Sequence, residues 1–491
     1  MTSPDALLEV FLSQNPWHRT GTVPAALAHS NERSLGRLLW HRLLEDRPHR
    51  FHLVLGPRRV GKTTALYQSV RHLLEDGGLA PGRVWWLRLD HPVLLRVELG
   101  ELVKLVVERS GATAETPVYL MLDEIVYARD WDLWLKTFFD DGWPVRVAAT
   151  SSATAALRDR RTESGVGRWD ELYLTPYRFD EFLDLREEAA PIAASDADRP
   201  LAERLRRLTP SASDRFDLAG RRTLFTLVGG FPELLAALAS DESDRAGLED
   251  ALLRSQRVLR TDAIERAIYK DIPQTFNVRE PMELERTLYV LAAQFTGTLS
   301  PTKLCVELGI SQPTLDRFVH YLEQAFLVFT LSNWSGREAT VQKRGRKLFF
   351  LDGAVRNAAL QRGLGPLDDA IESGKLLENL VASTLRTLSL HTGDRLFHWR
   401  DGGVEVDFVL DRADAPLAIE VGSSDRHGRA GLIALAERYP KFARHRWLVT
   451  PNSPIRQPED TDAGVGTVPV DLFLVMAAQC AEAALRRRLV G

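Results

Sequence analysis

Gly56, Gly61, Lys62 and Thr63 stand in LVLGPRRVGKTTAL at the spacing G-x-x-x-x-G-K-[ST], which wraps a backbone loop around phosphate oxygens. Glycines let successive N–H groups turn inward, and the helix that starts at the loop's end adds its partial positive charge. In that arrangement Lys62 reaches the β- and γ-phosphates and the Thr63 hydroxyl ligates Mg²⁺. The candidate nucleotide-binding residues are Gly56, Pro57, Arg58, Arg59, Val60, Gly61, Lys62, Thr63 and Thr64, with ATP and Mg²⁺ as the expected cofactors.

A second chemical element follows in VYLMLDEI, an apolar strand ending in Asp123 and Glu124. An aspartate there holds Mg²⁺, and the adjacent glutamate polarises the attacking water. A further strand, VRVAATSS, ends in Thr150, Ser151 and Ser152, whose hydroxyls are candidates to sense the γ-phosphate. The elements that position these groups alternate: FHLVL, RVWWLRL, VYLML and VRVAAT are short apolar runs separated by helical stretches over residues 51–182. That alternation implies a parallel sheet covered by helices, an α/β core.

The rest of the chain divides by composition. Residues 1–48 have helical spacing, 49–185 form the α/β core, and 186–275 form a linker and a helical lid. Residues 276–352 have the rhythm of a helix-turn-helix with a strand pair, and 353–491 return to mixed helix and strand. Within the fourth segment Gln312, Thr314, Asp316 and Arg317 begin the second helix, the part that faces the major groove in DNA-bound proteins of this kind. Arg337, Lys343, Arg344, Arg346 and Lys347 against Glu338 leave a surplus of four positive charges around the loop 343–347, enough for several phosphate contacts.

The totals set limits. With 63 basic and 67 acidic residues the net charge is −4, so the chain is not a wholly basic nucleic-acid coat. Two distant cysteines, Cys305 and Cys480, exclude a disulfide scaffold and fit a reducing compartment. No basic segment followed by an apolar run opens the chain, and no apolar stretch is long enough to span a bilayer. A cytoplasmic location without membrane partners is expected.

The stretches GPRRVGKTT, LDEIVYARDWDLWLKTFFDD, ATSSATAAL, ESGVGRWDELYLTPYRFDEF, GGFPE and YKDI, in that order, resemble the prokaryotic AAA-type ATPases whose C-terminal half is a domain of unknown function. The resemblance covers residues from about 30 to 450. It implies a P-loop AAA-type core, then a winged helix, then a degraded restriction-endonuclease-like α/β domain. It makes Arg168 a candidate catalytic arginine at the γ-phosphate, in cis or from a second copy of a homo-oligomer, and GGFPE a phosphate-proximal turn. In the last domain it implies a possible second metal site, with Glu378 on a helix beside Asp407 and Glu420 on two strands. Side-chain alternation sets Glu405, Asp407 and Val409 on one face of the first strand and Glu420 with Gly422 on one face of the second. Family members place lysine where this chain has Gly422, so the site looks built for a metal yet short of the residue that supports cleavage. Three functions stay open: an ATPase coupled to DNA binding with a non-catalytic nuclease-like domain, an ATP-controlled scaffold that binds protein, and an ATP-regulated metal-dependent nuclease.

Overall fold

The structure, a computed structural model, describes the chain apart from residues 1–2, 46–49, 153–166, 187–193, 210–217, 239–243, 277, 337–344, 425 and 491. It falls into two compact units. The first holds Met1–Leu174, Asp271–Val278 and Leu485–Gly491; the second holds Thr175–Lys270 and Arg279–Ala484. The second unit thus takes in both the helix-turn-helix segment and most of the C-terminal α/β segment, and a short piece from the helical region returns to the first.

The first unit is built on a five-stranded sheet in the order β2-β3-β4-β1-β5, with β1 (Phe51–Leu55), β2 (Val84–Arg88), β3 (Val118–Asp123), β4 (Val145–Ser151) and β5 (Trp169–Tyr173). All its pairings are parallel. Continuous apolar runs suit strands that helices cover on both faces, and β1 and β3 are buried along their whole length. WDELY, which becomes β5, is charged and only half-buried because it lies at the sheet's edge. Helices α1 (Pro4–Gln14), α2 (Ser34–Leu44), α3 (Lys62–Glu75), α4 (Leu99–Ser110) and α5 (Trp131–Asp140) complete the layers.

The opposite edge, β2, is closed by side chains from the N-terminal residues. Asn15 accepts from the Trp86 N–H at 2.6 Å and donates to the Trp86 carbonyl at 2.8 Å. Gln14 accepts from the Arg88 N–H, and the Trp17 indole donates to the Val84 carbonyl. Side chains here replace the strand that would otherwise pair with an exposed edge.

The second unit contains α6 (Arg245–Leu259), then α7 (Pro281–Ala293), α8 (Pro301–Leu308) and α9 (Gln312–Gln324), then an antiparallel ribbon of β6 (Val328–Leu331) and β7 (Lys347–Phe350). Gly309 ends α8 with φ +70°, and the Ser311 hydroxyl caps α9 by accepting from the Thr314 N–H. The long helix α10 (Ala370–Thr392) precedes a mixed sheet in the order β12-β11-β10-β9-β8. Its strands are β8 (Arg395–Asp401), β9 (Val404–Asp411), β10 (Leu417–Val421), β11 (Arg446–Thr450) and β12 (Gly466–Pro469), with α11 (Ala430–Arg438) between β10 and β11. The pairs β8–β9 and β9–β10 are antiparallel, and β10–β11 and β11–β12 are parallel. The ribbon joins this sheet through an Asn333–His398 bridge, and the Asn379 side chain of α10 exchanges two hydrogen bonds with Phe350 of β7.

Among the described residues no helix is long and apolar enough to cross a membrane.

Candidate functional site

Parallel pairing brings the C-terminal ends of β1, β3 and β4 together, because Leu55 pairs with Ser151 and Leu122 with Ala149. The loop Gly56–Gly61 therefore leaves β1 beside Asp123, Glu124 and Ser151. Gly56 is required by close approach: a Cβ there would sit 2.0 Å from the Leu174 carbonyl oxygen. Gly61 caps α3 with φ +93°, a conformation that favours glycine.

Lys62 folds back on the loop and donates to the Gly56 and Pro57 carbonyls at 2.9 and 2.8 Å. Burial lowers its pKa, against the nearby carboxylates. The Thr63 hydroxyl donates to Asp123 at 3.0 and 3.1 Å, and the Thr150 hydroxyl donates to the same carboxylate at 2.6 Å. Burial pushes the Asp123 carboxyl up to about 6, reinforced by the charge of Glu124 and opposed by those two hydroxyls. Glu124 adopts φ +56°, and its N–H donates to the Thr150 oxygen at 2.9 Å. Left-handed backbone at a non-glycine residue costs energy and clusters at functional sites. Ser152 donates to the Glu124 carboxylate at 3.1 Å.

One partner comes from far along the chain. Asp271, in the YKDI stretch, accepts two bonds from the Arg58 guanidinium at 2.5 and 2.6 Å. The Tyr127 hydroxyl also donates to it at 3.0 Å, and the single Ser152 O–H lies between it, at 3.2 Å, and Glu124. Burial works against the Arg58 charge, but the pairing with Asp271 raises its pKa above the ordinary arginine value. Spacing alone gives no reason to connect residues 58 and 271; the signal is that YKDI is one of the stretches that carry the family resemblance.

Arg168 is not brought to this loop. Its backbone oxygen accepts from Phe51 at the start of β1, and its guanidinium grips Asp140 at 2.7 and 2.9 Å. At ~3.3 Å per strand residue it lies roughly 15 Å from the loop, at the other end of the sheet.

The C-terminal acids do converge. The β9–β10 ladder runs to Ile419–Phe408, and just beyond it the Val421 N–H donates to Asp407 at 2.9 Å. Into this place comes Lys347, the first residue of β7. Its ammonium lies 2.8 Å from Asp407, 2.7 Å from Glu405 and 3.4 Å from Glu378. Burial opposes its charge, but these carboxylates raise its pKa. Burial and Asp407 push Glu378 up to about 8 against Lys347. Glu420 accepts from or donates to the His427 ring at 3.2 Å and is pushed up to about 7, mainly by burial. A Cβ at Gly422 would lie 2.5 Å from the His427 Cβ, so the histidine fills the space a side chain at 422 would need.

Of the basic loop, Arg337, Lys343 and Arg344 lie outside the described residues. Arg346 is paired with Asp316 of α9, and Lys347 is buried.

A parallel sheet with a glycine loop, a buried lysine, a threonine and a strand-end Asp-Glu pair defines the core of a P-loop ATPase. Residues 48–183 match the AAA domain, residues 223–364 a domain of unknown function (DUF8612) and residues 373–469 a second domain of unknown function (DUF4143). An AAA-type core followed by domains of unknown function is thus the arrangement of this chain. Two uncharacterized proteins of Methanocaldococcus jannaschii are similar to it. One is 24% identical over 368 residues, 74% of this chain and 72% of its own. The other is 27% identical over 362 residues, 73% of this chain and 72% of its own. The structure of the Aeropyrum pernix ORC1 protein in complex with DNA is similar at 16% identity and a TM-score of 0.32, over 72% of this chain and 98% of that one.

Proposed function

We propose that the chain binds and hydrolyses ATP at the Gly56–Thr64 loop and couples nucleotide state to DNA binding through α7–α9 and the β6–β7 ribbon, read as a winged helix. The nuclease-like sheet serves binding or structure. The observation that carries the ATPase reading is Thr63 and Asp123 in direct contact beside Lys62 and Glu124. Two hard oxygen donors side by side fit Mg²⁺, which when bound neutralises phosphate charge. Lys62 exchanges its loop carbonyls for phosphate oxygens. Glu124, oriented by Ser152, takes the proton of the attacking water. A role for Arg168 at the γ-phosphate belongs to a second copy of the chain, consistent with a homo-oligomer. The exposed Gln312 and Arg317 at the start of α9 support the DNA part.

A second reading, a nucleotide-controlled switch that binds protein, is favoured by Arg346 and Lys347. Both are committed to carboxylates of this chain, which leaves fewer cations for phosphate contacts.

ATP turnover measured with and without duplex DNA separates the two. Lys62→Ala should abolish turnover. Glu124→Gln should retain ATP but slow hydrolysis by about 100-fold or more, a typical general-base loss. Turnover unchanged by DNA, with no salt-sensitive DNA binding, would sink the DNA part. Normal hydrolysis by Glu124→Gln would remove Glu124 from its role.

A further inference from the structure

The resemblance to a restriction-endonuclease-like fold implies Mg²⁺ between Glu378, Asp407 and Glu420. The donor set does not fit a free metal site. Three carboxylates already surround an ammonium: Asp407 and Glu378 accept hydrogen bonds from it, and Glu405 is ion-paired with it. We propose that Lys347 is a built-in counter-cation: it occupies the metal position of the acid cluster, excludes divalent ions from the native chain, and masks a latent divalent-cation site that its removal opens.

The geometry supports each part. Mg²⁺ binds oxygens at ~2.1 Å and Mn²⁺ suits the same donors, whereas the ammonium holds Glu405 and Asp407 at 2.7 and 2.8 Å. A small inward movement of these oxygens would replace the lysine by a metal. One acceptor is left over: Glu420 Oε2 is buried with no hydrogen-bond partner. A cavity of about 550 Å³ reaches the Glu378 side of the cluster, lined there by Glu378, Gly422 and His427. Lys347 cannot drift out easily. Its strand is pinned on one side by the two Asn379–Phe350 hydrogen bonds, and the Gly345 carbonyl just before it meets the His398 ring at 2.7 Å. A lysine from the helix-turn-helix ribbon thus does the charge compensation that a metal does in an active site. Buried and ion-paired with three carboxylates, it is committed to this cluster.

The inference rests on the nuclease-like reading only for the expectation of a metal, and ion binding is measured apart from DNA cleavage and from ATP turnover. The full chain, free of nucleotide, is titrated with Mn²⁺ and free Mn²⁺ is followed by electron paramagnetic resonance. Asp407→Asn identifies any ion held at this cluster. Wild type should show no Asp407-dependent site at millimolar Mn²⁺. Lys347→Ala should gain one site, at least about tenfold tighter than any wild-type binding, and Lys347→Ala/Asp407→Asn should lose it. An Asp407-dependent site in wild type overturns the proposal, as does a folded Lys347→Ala chain that gains no binding. Uncompensated buried carboxylates are destabilising, and a Lys347→Ala chain that fails to fold reports nothing on ion binding. In that event wild type against Asp407→Asn decides alone: no difference in Mn²⁺ binding or in Mn²⁺-dependent melting supports the plug, and a difference refutes it.

Discussion

His52 is the second residue of β1, near the end of the strand away from the nucleotide loop, and is almost fully buried. Burial lowers its pKa to about 4; Asp170 raises it and Arg42 lowers it. An unfolded chain protonates this ring near 6.5. The folded chain resists protonation down to about 4, so the depressed group favours the folded state above pH 6.5 and penalises it as pH falls between these values. The full cost is about 3 kcal/mol, from 1.36 kcal/mol per pKa unit. His52→Leu should remove that part of acid destabilisation. In urea unfolding at pH 7 and pH 4.5, the variant should lose about 2 kcal/mol less than wild type between the two conditions. Equal losses would show that the ring does not titrate as its burial requires.

At the scale of elements, the edge of β2 shows what holds the core in one piece. Asn15 makes two hydrogen bonds to Trp86 and a third to the Phe11 carbonyl at 2.7 Å, and all of these are buried. Asn15→Ala leaves the Trp86 N–H and C=O without partners, at about 1–3 kcal/mol for each unsatisfied buried group. The variant should lose roughly 2–4 kcal/mol in denaturant unfolding while its nucleotide affinity stays close to wild type, because the loop lies at the other side of the sheet. A loss below about 0.5 kcal/mol would mean that water or a shifted chain satisfies the edge. The strands themselves were legible in the sequence, since FHLVL, VYLML and VRVAAT are apolar runs of strand length with a phosphate loop to anchor them. So were α8, Gly309 and α9, where a left-handed glycine and a serine cap carry a local signal. The edge closure was not legible, because nothing local links Asn15 to Trp86. The same limit applies to both sites. Gly56–Thr63 and Asp123–Glu124 follow from spacing, whereas Asp271 on Arg58 and Lys347 among the acids depend on contacts between residues more than thirty positions apart. Lys347 reads as one more charge in a basic loop, and only its place at the head of KLFF, in step with the inward Phe349, hints at burial.

At the scale of the whole molecule, the chain's path gives the nucleotide site a route to the rest of the protein. Asp271–Val278 belongs to the first unit, while the residues before and after it belong to the second. Residues 260–265 and 267–271 leading into it are π-helical, a rare winding that recurs at functional sites. The first residue of the returning segment, Asp271, grips Arg58 inside the phosphate loop. A nucleotide entering that loop offers Arg58 a competing anion, so phosphate binding and the Arg58–Asp271 pair are linked. Hydrogen exchange with and without a non-hydrolysable ATP analogue tests the link. In wild type the analogue should change protection in residues 245–276. Asp271→Asn should still bind the analogue, yet the change outside the first unit should disappear. Arg58→Gln should produce the same loss, and the double variant should be no worse than either single one, because both break one pair. An undiminished response in Asp271→Asn, or additive effects in the double variant, would show that the pair is a local brace and that nucleotide state reaches the second unit by another path.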